Sequence, residues 1–188
     1  MSGRLMGWLR ASACVLACTL IAASSFAQKR GGTLIVPHID TPPSPSIQEE
    51  ATASVVIPFM PIYSNLVLFD QHKPQHKMET IVPELATAWA WSNDGKDLTF
   101  TLREGVMWQD GTPLTAKDVV ATMDRLIDAG NSALTGTLEK GATVAKDDMT
   151  VVFTLSTANG HFPYLVSSDN TQSQITPAAW TVEDNLKP

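Results

Sequence analysis

The stretch that most restricts this chain runs from Asn93 to Gly130, where a turn, a strand and a helix signal follow in order. Asn93-Asp94-Gly95 is strong turn chemistry, because glycine takes the positive φ that a tight hairpin needs. Leu98-Thr99-Phe100-Thr101-Leu102-Arg103 alternates apolar and polar with period two, which predicts a strand with Leu98, Phe100 and Leu102 inward. Glu104-Gly105 turns, Val106-Met107-Trp108 is short and extended, and Gln109-Asp110-Gly111-Thr112-Pro113 turns again. A helix starts at Thr115, with Asp118 at capping-box spacing. Val119, Val120, Met123, Leu126 and Ile127 form its apolar face, Lys117, Asp124, Arg125 and Asp128 stay outside, and Gly130 caps its end. A chain with this core has to pack a helix on a sheet, so the fold class is α/β.

Other segments add to this frame. Thr33-Leu34-Ile35-Val36 predicts a short buried strand ended by Pro37. Residues 41–46 (TPPSPS) are a proline-rich loop. Helical spacing over residues 51–67 is interrupted by Pro58 and Pro61, which predicts a break before residues 62–68. Residues 70–77 are a polar turn. Residues 136–141 read as loop. Residues 143–145 and 149–155 form a hairpin with Met149, Val151, Phe153 and Leu155 on one face.

The first 27 residues have a separate character. Arg4 and Arg10 are positive with no acid nearby, residues 11–23 are apolar, and Ser25-Phe26-Ala27 offers a small-x-small exit. That order predicts a secretory signal peptide over residues 1–27, and folded protein over residues 28–188. The apolar run is too short for a membrane anchor. Cys18 is the alternative processing point, as a lipid-modified cysteine. Both cysteines, Cys14 and Cys18, lie inside this leader, so the mature chain has neither a disulfide nor a zinc–cysteine site. Removing the leader takes away two arginines and no acid, so 13 basic and 19 acidic residues become 11 and 19 and net charge moves from -6 to -8. That balance disfavours nucleic acid and anionic membrane surfaces as partners and suits cationic or zwitterionic ligands.

Residue types that carry chemistry are sparse. His72 and His76 are four apart, but Pro74 forbids the helix that would bring them onto one face, so they read as solvated loop histidines. Asp94, Asp97, Glu104, Asp110 and Asp118 could be imagined as an acid/base set. Turn and helix-terminus chemistry already accounts for Asp94, Asp110 and Asp118. There is no Gly-x-Ser-x-Gly, no phosphate-binding glycine loop and no dinucleotide fingerprint. Trp89, Trp91 and Trp108 read as core or sheet-face residues, with stacking on a ligand as the alternative for one of them.

Several segments together resemble one family. They are Gly31-Gly32-Thr33-Leu34 after the leader, Tyr63-Ser64-Asn65-Leu66, and Pro83-Glu84-Leu85-Ala86 followed by Trp89, Ser92, Asp94 and Gly95. The longest is the run from Leu98 through Arg103, Trp108, Asp110 and Gly111 to Asp118 and Val119, and residues 147–155 follow it. The chain resembles the extracytoplasmic solute-binding proteins of ABC importers, in the peptide- and nickel-binding group (family 5). The resemblance implies a periplasmic-binding-protein-like first lobe with a mixed sheet and a β-rich subdomain. It also implies a periplasmic protein that delivers peptides or similar small solutes to a membrane permease, without catalysis or cofactor. Trp89, Asp94, Gly95, Phe100, Arg103, Trp108, Asp110, Gly111 and Asp118 then build the lobe, with Arg103 in an ion pair and Trp108 in packing. Pro37, His38 and Ile39, leaving the first strand, are the expected cleft-facing segment. Members of this group are much longer and close a second lobe over the ligand. By this resemblance the second lobe is expected to be missing here, with a non-binding remnant or a lobe-only interaction module as the alternative expectation.

Overall fold

The computed structural model describes residues 32–33, 35–38, 40–50, 52–168, 170, 172–181 and 183. The predicted leader and its cysteines lie outside them. Residues up to Pro37 form one unit and those from His38 onward a second. In the first, the buried strand predicted at residues 33–36 is not there. Thr33, Ile35 and Val36 carry no strand, and Ile35 and Val36 are 85% and 70% exposed. A run this short cannot hold extended geometry without a neighbour to satisfy its backbone groups, and the described residues give it none.

The second unit begins with the proline-rich loop and α1 (Ala53–Phe59), which has Pro58 in its last turn and passes into a 3-10 turn at Met60–Ile62. The predicted break is therefore a tightening of the helix, since Pro61 sits where a turn start loses no amide bond. β1 (Val67–Phe69) and β2 (Ile81–Pro83) pair as a small antiparallel sheet. The second sheet holds β3 (Ala86–Ser92), β4 (Asp97–Leu102), β5 (Leu138–Ala145) and β6 (Thr150–Leu155) in the order β3-β4-β6-β5. The expected mixed sheet is realised as these two antiparallel sheets, with a parallel bridge between Val67 and Ser167. α2 (Ala116–Asp128) packs on β5 and β6, and α3 (Phe162–Leu165) adds one turn.

The alternation in β4 and β6 works as predicted. Leu98, Phe100, Leu102, Val151, Phe153 and Leu155 are buried, and Leu98 pairs with Phe153 and Phe100 with Val151. Val119, Met123 and Leu126 of α2 join that core. Phe153 stands at its centre, with its ring 5.6 Å from Phe100 and 5.3 Å from Phe162. Burying side chains of this size supplies about 1.5–3 kcal/mol each.

The turn and caps are also as read, with additions. Gly95 has φ 81, and Asn93 and Asp94 are left-handed as well, at 51 and 52. The amide of Thr115 donates to Asp118 Oδ2 at 2.7 Å. At the other end Gly130 (φ 75) donates to the Ile127 carbonyl and Asn131 to that of Leu126, a Schellman closure. The loop predicted at residues 136–141 is corrected, because β5 already starts at Leu138. Its pairing jumps from Leu138↔Leu155 to Thr143↔Phe153, a bulge over Gly141. The Gly141 amide donates to Asp124 Oδ1 of α2 at 2.9 Å, so the helix holds the irregularity. His76 is an exposed loop residue, as expected, and its ring also stacks on Phe69, 4.4 Å away and 4° from parallel.

Candidate functional site

Three segments meet around a cavity in the second unit. The first follows the 3-10 turn and carries Ile62, Tyr63 and Ser64. It is anchored by buried Asn65, whose side-chain amide donates to Ser167 O at 3.1 Å and Ser173 Oγ at 2.8 Å. The Asn65 main-chain amide donates to Glu84 Oε2 at 2.8 Å. The second is the hairpin at residues 106–114. Trp108 and Leu114 amides donate to Thr112 and Val106 carbonyls, and Gly111 turns the chain at φ 83. Asp110 Oδ1 accepts from the Thr112 amide at 2.8 Å and its hydroxyl at 2.7 Å.

The third segment runs from Ile175 to Trp180 without regular structure, and a polar stripe on α2 holds it. Asp118 Oδ1 accepts from the Ala178 amide at 2.7 Å. Thr122 Oγ1 accepts from the Thr176 amide at 3.1 Å. Arg125 donates to the Trp180 carbonyl at 2.6 Å, to Gln48 Oε1 at 3.2 Å and to Thr176 Oγ1. Asp118, Thr122 and Arg125 share one face because they are spaced by helical turns. Arg125 stays outside the apolar core, as read, but it is engaged by the tail rather than free in solvent. Its guanidinium is half-buried, burial pulls its pKa down, and Glu49 opposes that shift.

The cavity between these segments has a volume of about 370 Å³. Its walls are aromatic (Tyr63, Trp108, Trp180) and aliphatic, with Asp110 as their charged side chain. The size and lining suit a small solute. The Thr112 bonds hold the Asp110 carboxyl below the usual aspartate range, and burial raises the Tyr63 hydroxyl above its usual value. Trp108 is half-buried, and its indole N–H is enclosed without a hydrogen-bond partner. On the far side of Trp180 lies a more open, charged groove of about 560 Å³, with Glu49, Asp124, Arg125, Asp128 and Lys140 in its walls. Trp180 borders both.

Of the residues singled out from sequence, Trp108 and Asp110 are brought together at the cavity. Gly111 makes their turn, and Asp118 reaches them through the tail segment. Trp89 and Phe100 are neighbours across β3 and β4, with rings 6.2 Å apart. Asp94 and Gly95 form the hairpin turn, and neither is among the residues that line the cavity. Arg103 Nε donates to the carbonyl of Glu84 at 2.9 Å, so its described bond is to main chain rather than to a carboxylate. Pro37 and His38 are exposed, Ile39 lies outside the described residues, and His38 Nε2 is 3.0 Å from the Ser54 carbonyl. His38 is not among the residues that line the cavity. Sequence reasoning missed Tyr63 and Trp180 as wall residues, and it placed Arg125 outside the apolar face without its role in holding the tail. Only the helical spacing of Asp118, Thr122 and Arg125 hinted at a polar stripe.

A family model described as "Bacterial extracellular solute-binding proteins, family 5 Middle" matches residues 80–186. The chain belongs to this family. The family 5 chain is 35% identical over 121 residues to the periplasmic murein peptide-binding protein MppA of Escherichia coli (strain K12), covering 61% of this chain and 21% of that protein. It is 41% identical over 83 residues to the periplasmic alpha-galactoside-binding protein of Rhizobium meliloti (strain 1021), covering 41% and 12%. It superimposes on the crystal structure of the dipeptide binding protein from Pseudoalteromonas sp. SM9913 in complex with Met-Leu. That match has TM-score 0.60 and 25% identity, and covers 73% of this chain and 30% of the other. The fold is therefore periplasmic-binding-protein-like, and the chain spans about an eighth to a third of the length of these relatives. These relatives are binding proteins by name, two of them periplasmic.

Proposed function

We propose that this protein is the substrate-binding component of an ABC importer, which captures peptides or similar small solutes outside the inner membrane and delivers them to a membrane permease. The observation that carries the proposal is the family match over residues 80–186, together with 35% identity to a murein peptide-binding protein. Residues 1–27 serve as the export signal, Cys18 is the alternative site of lipid attachment, and residues 28–188 form the lobe. The protein works by binding, without catalysis and without a cofactor. The aromatic cavity fits that role in size, and an apolar wall with few polar groups is what small-solute sites use. Pro37, His38 and Ile39 are retained as a second, cleft-facing contact segment. Isothermal titration of the purified chain with a mixture of di- and tripeptides is the test. Saturable heat is expected, and silence at millimolar peptide overturns the proposal.

A further inference from the structure

We propose that the cavity walled by Tyr63, Trp108 and Trp180 recognises an organic cation, an ammonium or guanidinium group on an apolar stem. The inference rests on the solute-binding reading above and specifies its ligand chemistry. Three aromatic side chains border one small space, and the charge they share it with is the carboxylate of Asp110. Aromatic faces attract cations through their quadrupole, most strongly for tryptophan, and a nearby carboxylate adds directly to that attraction. An anionic solute would meet Asp110 with like charge, and a neutral one would use the walls but leave the carboxylate idle.

Among the described residues, no lysine, arginine or histidine lines the cavity. The nearest cation in the tail cluster, Arg125, already serves Gln48, Thr176 and the Trp180 carbonyl. Arg103 Nε is bonded to the Glu84 carbonyl. The turn bonds are made by Asp110 Oδ1, and the side chain borders the cavity while exposed to solvent. These bonds also hold the carboxyl below the usual aspartate range, which favours its ionised form. Trp180 is 40% exposed although it is the bulkiest residue type, and its main chain rather than its ring is clamped by α2. A tryptophan held at its backbone and partly exposed is available for stacking. The negative net charge of the chain adds long-range attraction for cations.

The test titrates choline against its uncharged isostere 3,3-dimethylbutan-1-ol, followed by calorimetry and tryptophan fluorescence. Choline is expected to bind about tenfold more tightly than the isostere. Asp110→Asn keeps an oxygen for Thr112 and removes the charge, so it should bring choline down to the isostere's affinity and leave the isostere unchanged. Trp180→Ala should weaken both, while the α2 clamp on its carbonyl keeps the fold. If Asp110→Asn fails to fold, choline affinity of the unaltered protein should fall as pH drops through the Asp110 titration. The dipeptides Gly-Lys and Gly-norleucine separate the sources of the cation. Preference for Gly-Lys assigns a peptide side chain, and preference for choline alone assigns a free solute. Equal affinity for choline and its isostere, or binding of neither choline nor Gly-Lys, overturns the inference. Peptide binding with no preference for cations overturns it too, and leaves the solute-binding reading standing.

Discussion

Glu84 shows how a single side chain balances two opposing effects. Its Oε2 accepts the Asn65 amide that anchors the cavity wall, yet the carboxyl is more than half buried. Burial raises its pKa, and the bonds from Asn65 and Ser64 lower it less. The folded pKa thus lies above the unfolded one. The stability linked to this group is fully present below the unfolded pKa and is lost as pH rises through the folded pKa. Glu84→Gln keeps an oxygen for Asn65 and removes the charge. Its denaturation midpoint in urea should exceed that of the parent at neutral pH, and the gap should close below the ordinary glutamate range. A lower midpoint at neutral pH would show that the charged bond outweighs burial. Asp110 has the opposite sign, since its lowered pKa makes its contribution present above the aspartate range and lost as pH falls through it. The turn residues Asp94, Gly95, Asp110 and Gly111 were legible from sequence because each acts within a few residues of itself. Trp180 was not, because its neighbours in the cavity are brought to it by tertiary folding.

At the scale of elements, α2 is the best-specified piece. Its apolar spacing, its Thr115–Asp118 start and its Gly130 stop all follow local rules. Gly130 closes the Schellman motif at φ 75 with open space around its Cα. Gly130→Ala should therefore cost about 1 kcal/mol through backbone strain alone. Urea denaturation measures this, and a neutral result would mean that the helix end can relax. What the helix does with its polar side was not legible. Asp118, Thr122, Asp124 and Arg125 bind partners many residues away, at Thr176, Ala178, Gly141 and Trp180. The start of β5 was hidden for a related reason. Gly141 signals a turn in isolation, but here it sits in a bulge whose amide is satisfied by α2.

For the whole molecule, the consequence is that one helix both completes the core and fixes the cavity's third wall. Its apolar face packs on β5 and β6, and its polar stripe grips residues 176–180. Arg125 contributes charge-assisted hydrogen bonds to this grip, worth about 1.5–3 kcal/mol each when the partners are buried. Arg125→Ala should leave the sheet core intact and free the tail. Hydrogen exchange at the Ala178 and Trp180 amides should then rise by about tenfold or more, with little change at β4 and β6. Uniform faster exchange would show that the tail is part of the global folding unit instead. The same variant should loosen the Trp180 wall and weaken any ligand that stacks on it.

The sequence by itself determined the strands β4 and β6, the helix α2 with both its ends, the β3–β4 turn and the family. Periodicity, capping and turn chemistry are local, so they can be read one window at a time. Tertiary structure alone decided the cavity, the clamp on residues 176–180, the bulge in β5 and the exposure of Ile35 and Val36. Each of these depends on partners far apart along the chain, or on their absence. A β-branched run codes for a strand only if another strand completes its ladder, and an aromatic residue becomes a binding wall only when folding leaves a space beside it.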